Sequence, residues 1–265
     1  MDLWVLGYLA IGAGVGFLAG MLGIGGGALQ VPFLVWAFEA RGLPPDHVVH
    51  LAVGTAMASI LFTSVSSARA HAARGAVRWD VVKAMTPGIL AGGFLGSLIA
   101  SSMPRFLVAV LFVATVYAAG INMLFERKPN PSRTLPGPAG VFAAGAVISG
   151  VSAFAAVGGA FLSVPFMLWC NVPMIHAIGT AAAIGFPIAA AGTVGYLAGG
   201  WGVTGLPPWS LGYVYLPALA GVTIASMTVA PLGVMVAHRV PARVLRKVFA
   251  VLMLALATRL LIGLW

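Results

Sequence analysis

The sequence predicts an all-α, polytopic membrane helix bundle of two repeats, inverted relative to one another, each with a short broken or re-entrant helix. Three observations carry this: the composition, the lengths of the apolar segments, and landmarks that recur in the same order in both halves. The 265 residues are 61% hydrophobic and 7% charged, with a mean hydropathy of +1.05. A soluble domain carries roughly 25% charged residues because its surface faces water. Here lipid must take that place. The 35 glycines suit the same solvent, since membrane helices associate through close backbone packing.

A helix crossing about 30 Å of hydrocarbon needs roughly 20 apolar residues. Apolar segments run over 4–23, 27–40, 48–70, 81–101, 105–125, 139–157, 160–173, 175–198, 211–236 and 244–264. Two of them, 27–40 and 160–173, are short and follow their predecessors after only a glycine-rich break. The first apolar run lacks a basic stretch before it and reads as a mature helix rather than a cleaved signal. The hydrophilic stretch Glu126–Arg133 lies near the middle. It divides the chain into a first repeat (1–125), a cytoplasmic linker (126–138) and a second repeat (139–265).

The repeats announce themselves through shared landmarks. Leu29, Val31, Pro32 and Phe33 recur as Leu162, Val164, Pro165 and Phe166, a shift of 133 (164 − 31). Gly54-Thr55-Ala56 recurs as Gly179-Thr180-Ala181, a shift of 125 (179 − 54). Trp79 and Pro87 recur as Trp209 and Pro217, a shift of 130 (209 − 79).

Basic residues set the orientation. They cluster at Arg69, His71, Arg74, Arg78 and Lys83, in the central linker, and at His238, Arg239, Arg243, Arg246 and Lys247. If each short segment returns the chain to the side it came from, all three clusters share one side. If not, the first and third fall on opposite sides. Cytoplasmic loops hold the excess of Lys and Arg, which selects five segments per repeat, inversion, and extracytoplasmic termini. The net charge of +9 is therefore a topology signal, and nucleic acid is excluded as a partner. A lone cysteine, Cys170, excludes an internal disulfide and a cysteine metal cluster. No residue pattern calls for a cofactor or a metal.

The strongest candidate for chemistry is Gly23-Ile24-Gly25-Gly26-Gly27-Ala28-Leu29-Gln30. Consecutive glycines cost about 1 kcal/mol each in a helix interior, so the helix breaks here and a new one starts at Gly26 or Gly27. Its first N–H groups have no intrahelical acceptor, and its positive dipole end suits an anion. Val157-Gly158-Gly159-Ala160 with Ser163 repeats the construction. Inversion would bring two such starts together at the membrane midplane, the arrangement of broken-helix transporters. The candidate substrate ligands are Gly25, Gly26, Gly27, Gln30, Thr55, Gly158, Gly159, Ser163 and Thr180. The plainer reading of the glycines is tight packing alone.

Thr55, Ser59, Thr63 and Ser66 lie at spacings that share one helical face. They either line a polar path or bond their own preceding carbonyls. His50 and His176 stand at the starts of the helices that bear Thr55 and Thr180, and either carry a proton or attract an anion, or are interfacial histidines with no role. Arg69 and His71 end the third segment and either steer an anion or snorkel to the interface. Glycine ridges at 12, 16, 20 and at 88, 92, 96 read as helix packing. There is no H-E-x-x-H, no phosphate loop and no paired membrane carboxylate, so an enzyme is not expected. A non-transporting assembly or scaffold protein is the alternative, as is transport of another small anion.

The Gly23–Pro32 segment, Val53-Gly54-Thr55-Ala56, the stretch Ala70–Trp79 and their second-half counterparts together resemble the sulfite exporter TauE/SafE family over nearly the whole chain. The resemblance implies an inner (plasma) membrane transporter of sulfite, sulfonates or related sulfur-containing anions, with lipid and a small anion as its partners. It leaves a homo-oligomer open. The chain departs from the family pattern at Ala156-Val157-Gly158-Gly159-Ala160, which is poorer in glycine, and has Tyr196 where its own first repeat has His71.

Overall fold

A computed structural model describes residues 3–22, 26–125, 134–156, 158–237 and 242–263. Among them are ten helices: α1 Leu3–Leu22, α2 Gly27–Ala40, α3 Val48–Ala72, α4 Trp79–Ser102, α5 Arg105–Phe125, α6 Pro138–Ala155, α7 Ala160–Trp169, α8 Met174–Gly199, α9 Leu216–Ala237 and α10 Ala242–Ile262. Six of these (α3, α4, α5, α6, α8 and α9) are long and apolar enough to cross a membrane, and α1, α2 and α7 contribute shorter apolar helices. The protein is an all-α, multi-pass membrane bundle.

Helix ends follow local chemistry. α2 and α7 stop in the same way. Leu43 N–H bonds the Phe38 carbonyl around Gly42 (φ +72°), and Val172 N–H bonds the Met167 carbonyl around Asn171 (φ +61°). Both are left-handed caps that turn the chain out of the helix. The cap at Asn171 ends α7 four residues before the expected limit of 173. α9 begins at Leu216 rather than 211, because Ser210–Leu211 and Val214–Tyr215 pair as a two-residue antiparallel hairpin. Gly212 presses there on the Leu197 backbone, where a Cβ would overlap the carbonyl.

α3 and α8 form the buried centre and cross antiparallel, with Met57 against Gly192 and Ser64 against Gly185. α5 and α10 are also antiparallel, with Tyr117 hydroxyl bonded to Thr258 and Gly120 against Leu254. α1 runs parallel to α9: Gly12 packs on Val222 and Gly16 on Ser226. α4 runs parallel to α6: Gly92 packs on Ala146 and Gly96 on Gly150. At these four glycines the neighbouring helix comes too close for a Cβ to fit without a shift. With lipid outside, such close packing holds the bundle.

Contacts at the helix ends sort them by face. His50 Nε2 lies 3.0 Å from the Met103 carbonyl oxygen and Arg105 donates to the Pro45 carbonyl, so α3 and α5 start on one face. Thr55 reaches Tyr215, so α9 starts there too, and Tyr8 beside Gly221 adds the start of α1. Thr180 reaches Arg78, placing the starts of α8 and α4 on the opposite face. Large apolar side chains such as Phe62, Leu95, Ile99, Val147, Phe186, Val194 and Ile224 are exposed around the outside, where lipid satisfies them.

Candidate functional site at the two helix breaks

Both short helices begin where the sequence places a break. Gly26 is the N-cap of α2, and its carbonyl accepts the Leu29 and Gln30 N–H groups at 3.1 and 3.0 Å. Gly159 is the N-cap of α7, and its carbonyl accepts the Ser163 N–H at 2.9 Å. Neither end has a side-chain cap. The N–H groups of each first turn therefore have no acceptor within their own helix. Gly25 and Val157 lie outside the described residues.

The two breaks meet. α6 is capped by Ala156 in the left-handed conformation (φ 47°), four residues before α7 begins at Ala160. Its carbonyl oxygen stands so close to Gly27 that a Cβ there would overlap it, and Ile60 of α3 crowds the same position. Gly26 faces Val15 and Ala19 of α1. Gly158 and Gly159 are buried, and Gly159 faces Ile188 and Ile184 of α8. Apolar side chains of the central pair thus wall two polar helix starts.

One turn into each short helix stands a buried polar side chain with a donor that has no partner among the described residues. Gln30 is 3% exposed with its Nε2 unpartnered, and Ser163 is fully buried with its hydroxyl unpartnered. Buried polar atoms nearly always have a partner, and leaving one without costs about 1–3 kcal/mol. The two occupy matching positions after the break.

The other candidates are dispersed. Thr55 accepts the Tyr215 N–H and Thr180 the Arg78 N–H, each at 3.0 Å. Ser59 is buried, whereas Thr63 bonds its own Ile60 carbonyl and Ser66 is exposed. The hydroxyl stripe is therefore part interior and part surface. His50 stacks on Tyr213 with ring centroids 5.0 Å apart, and its Nδ1 is buried without a partner. It lies ten residues before Ile60 on α3, about 15 Å from the break by helix rise. His176 also has an unpartnered buried Nδ1 and lies near the start of α8, far along that helix from Ile188. The histidines stand towards opposite ends of the bundle, not at the breaks. Arg69 is exposed and His71 half-buried at the end of α3.

Two participants escaped sequence reasoning, and a third, Tyr196, stood out there only as the residue that replaces His71 of the first repeat. Ile60 and Ile188 are apolar residues among many, and only the fold brings them to the glycines. Tyr196 is fully buried and donates its hydroxyl to the Ala153 carbonyl at 3.0 Å, bracing α6 just before its break. Its signal was a lone tyrosine in an otherwise small and apolar helix.

Comparison with known proteins agrees with this architecture. The family model for the sulfite exporter TauE/SafE matches residues 8–260. A probable membrane transporter protein of Haemophilus influenzae is 32% identical over 97% of this chain and 98% of its own length. One of Xylella fastidiosa is 29% identical over 94% and 92%, and one of Methanocaldococcus jannaschii 25% identical over 90% and 88%. No solved structure matches. Spanned almost end to end by that model, the chain belongs to the sulfite exporter TauE/SafE family.

Proposed function

We propose that this membrane transporter moves a small sulfur-containing oxyanion, such as sulfite or a sulfonate, by alternating access at a midplane site between the two breaks. The observation that carries the reading is the matched pair Gln30 and Ser163: buried, unpartnered, and one turn beyond uncapped helix starts. An oxyanion offers several acceptor oxygens. The N–H groups following Gly26 and Gly159, the Gln30 amide and the Ser163 hydroxyl are all donors, and the helix dipoles favour negative charge. Thr55 and Thr180 each accept one N–H and still have their own O–H to donate. Donors of this kind bind an anion without a buried lysine or arginine that would hold it too tightly to release.

Two inverted repeats, meeting near 126–138, fit the helix directions. α1 opposes α6, α3 opposes α8, α4 opposes α9 and α5 opposes α10. The glycine contacts obey the same relation: Gly92 on Ala146 answers Val222 on Gly12, and Gly96 on Gly150 answers Ser226 on Gly16. Under the positive-inside tendency, the α3–α4 face is cytoplasmic and the termini extracytoplasmic. Rocking of one repeat against the other would expose the shared site to each side in turn.

The test is uptake of radiolabelled sulfite into proteoliposomes, with sulfate, thiosulfate and small sulfonates as competitors. Saturable flux, lost in folded Gly26→Leu or Gly159→Leu protein, is expected. Folded wild-type protein giving no flux above empty liposomes for any of these anions would overturn the substrate class.

A further inference from the structure

A cavity lies between α2 and α10, starting at Pro32, six residues beyond the break at Gly26, and running along α2 to Glu39. Its volume is about 530 Å³, and Phe33, Val35, Leu256 and Leu260 make most of its lining apolar. That size suits a small organic headgroup with the tops of two chains rather than an inorganic ion. Two opposite charges line it as well: Glu39 in the last turn of α2 and Arg259 in the last turn of α10.

These charges are not spent on each other. Among the described residues neither side chain makes an ion pair. Arg259 instead sits 6.0 Å over the exposed ring of Trp36, a cation–π distance. The cavity also reaches Val49 at the start of α3 and Gly263 at the end of α10, so its charged part, with Glu39 and Arg259, is at the end of the bundle, where hydrocarbon gives way to headgroups. Tryptophan is favoured at that depth. An apolar groove carrying one cation and one anion at the headgroup level complements a ligand with an apolar body and a zwitterionic head.

We propose that this groove binds a phospholipid with a primary-amine zwitterionic headgroup. Arg259 takes the phosphate, Glu39 the ammonium, and the α2–α10 lining the first segments of the acyl chains. An ammonium with N–H donors can hydrogen-bond a carboxylate, whereas a trimethylated one cannot. An anionic glycerol headgroup offers Glu39 no cation at all. The site is independent of the transport reading, because binding is measured without flux.

The experiment is native mass spectrometry of the full chain, titrated with dioleoyl phosphatidylethanolamine, phosphatidylcholine or phosphatidylglycerol. The ethanolamine lipid is expected to bind roughly three- to fivefold more tightly than the other two, the scale of one partly exposed ion pair. Glu39→Gln should erase that preference while phospholipid still binds. Arg259→Gln should weaken all three lipids, and Arg259→Lys should restore much of the loss. Variants are compared at matched thermal stability, so misfolding is separated from lost binding. Equal binding of the three lipids, tighter binding of the glycerol lipid, or a preference that survives Glu39→Gln would overturn the proposal. So would a second copy of the chain, rather than lipid, filling the groove.

Discussion

The hydroxyl of Thr55 accepts the backbone N–H of Tyr215 at 3.0 Å, tying α3 to the residue that immediately precedes α9. Thr180 does the same for Arg78, the N-cap of α4, on the opposite face. The glycines before them follow suit, Gly54 pressing on the Tyr213 carbonyl and Gly179 on the Ala76 carbonyl. Each central helix therefore grips the entry to a helix of the other half. Replacing either threonine with valine keeps the shape and orphans a backbone N–H. Thr55→Val and Thr180→Val should each cost about 1–3 kcal/mol, with serine at either position losing less. Thermal unfolding in detergent measures this, and an unchanged midpoint in both valine variants would show that the bonds contribute nothing.

Gln30 and Ser163 should behave in the opposite way. The Gln30 Nε2 and the Ser163 hydroxyl have no partner among the described residues, so Gln30→Met and Ser163→Ala remove an unmet donor and should leave stability equal or slightly higher. If an anion is what those donors serve, sulfite flux should fall at least about tenfold, the loss of roughly 1.4 kcal/mol of binding. Parallel unfolding and flux assays separate the two effects. Full flux in the double variant would remove both residues from the site.

The contact of Gly27 with the Ala156 carbonyl leaves no room for a methyl group. Gly27→Ala should displace the end of α6 and destabilise the protein by about 1–3 kcal/mol, the usual cost of overpacking. An alanine at Gly14, where nothing lies within 4 Å, serves as the control and should be near neutral. Thermal midpoints of the two variants, measured side by side, test the difference.

Inversion makes a labelling prediction. Arg74 follows α3 and Thr204 follows α8, and both are exposed. Because α3 and α8 cross antiparallel, single cysteines at these positions, in a Cys170→Ala background, should react with a membrane-impermeant reagent from opposite sides. Reaction from the same side would exclude the inverted arrangement.

The lesson from the sequence is uneven, and the reason is physical. The breaks at Gly26 and Gly159 were legible because glycine cannot sustain a helix and lipid cannot solvate a broken one. The caps at Gly42 and Asn171, and the hairpin at 210–215, were less so: a short apolar run reads alike whether it continues a helix or turns. For Thr55 and Thr180 the recurrence was visible and the partner was not, because Tyr215 and Arg78 lie 160 and 102 residues away. The hydroxyl stripe showed the limit of periodicity, since Ser59 is buried while Ser66, on the same face, is exposed.

By itself the sequence determined the solvent, the number of helices and where two of them must break, since these follow from transfer energies and local backbone chemistry. Only the tertiary structure decided that Gly27 meets Ala156, that Gln30 and Ser163 are left without partners, and that Glu39 and Arg259 share a groove. Such relationships depend on which helices touch, and helix contacts in lipid are set by the close fit of distant surfaces rather than by any local preference.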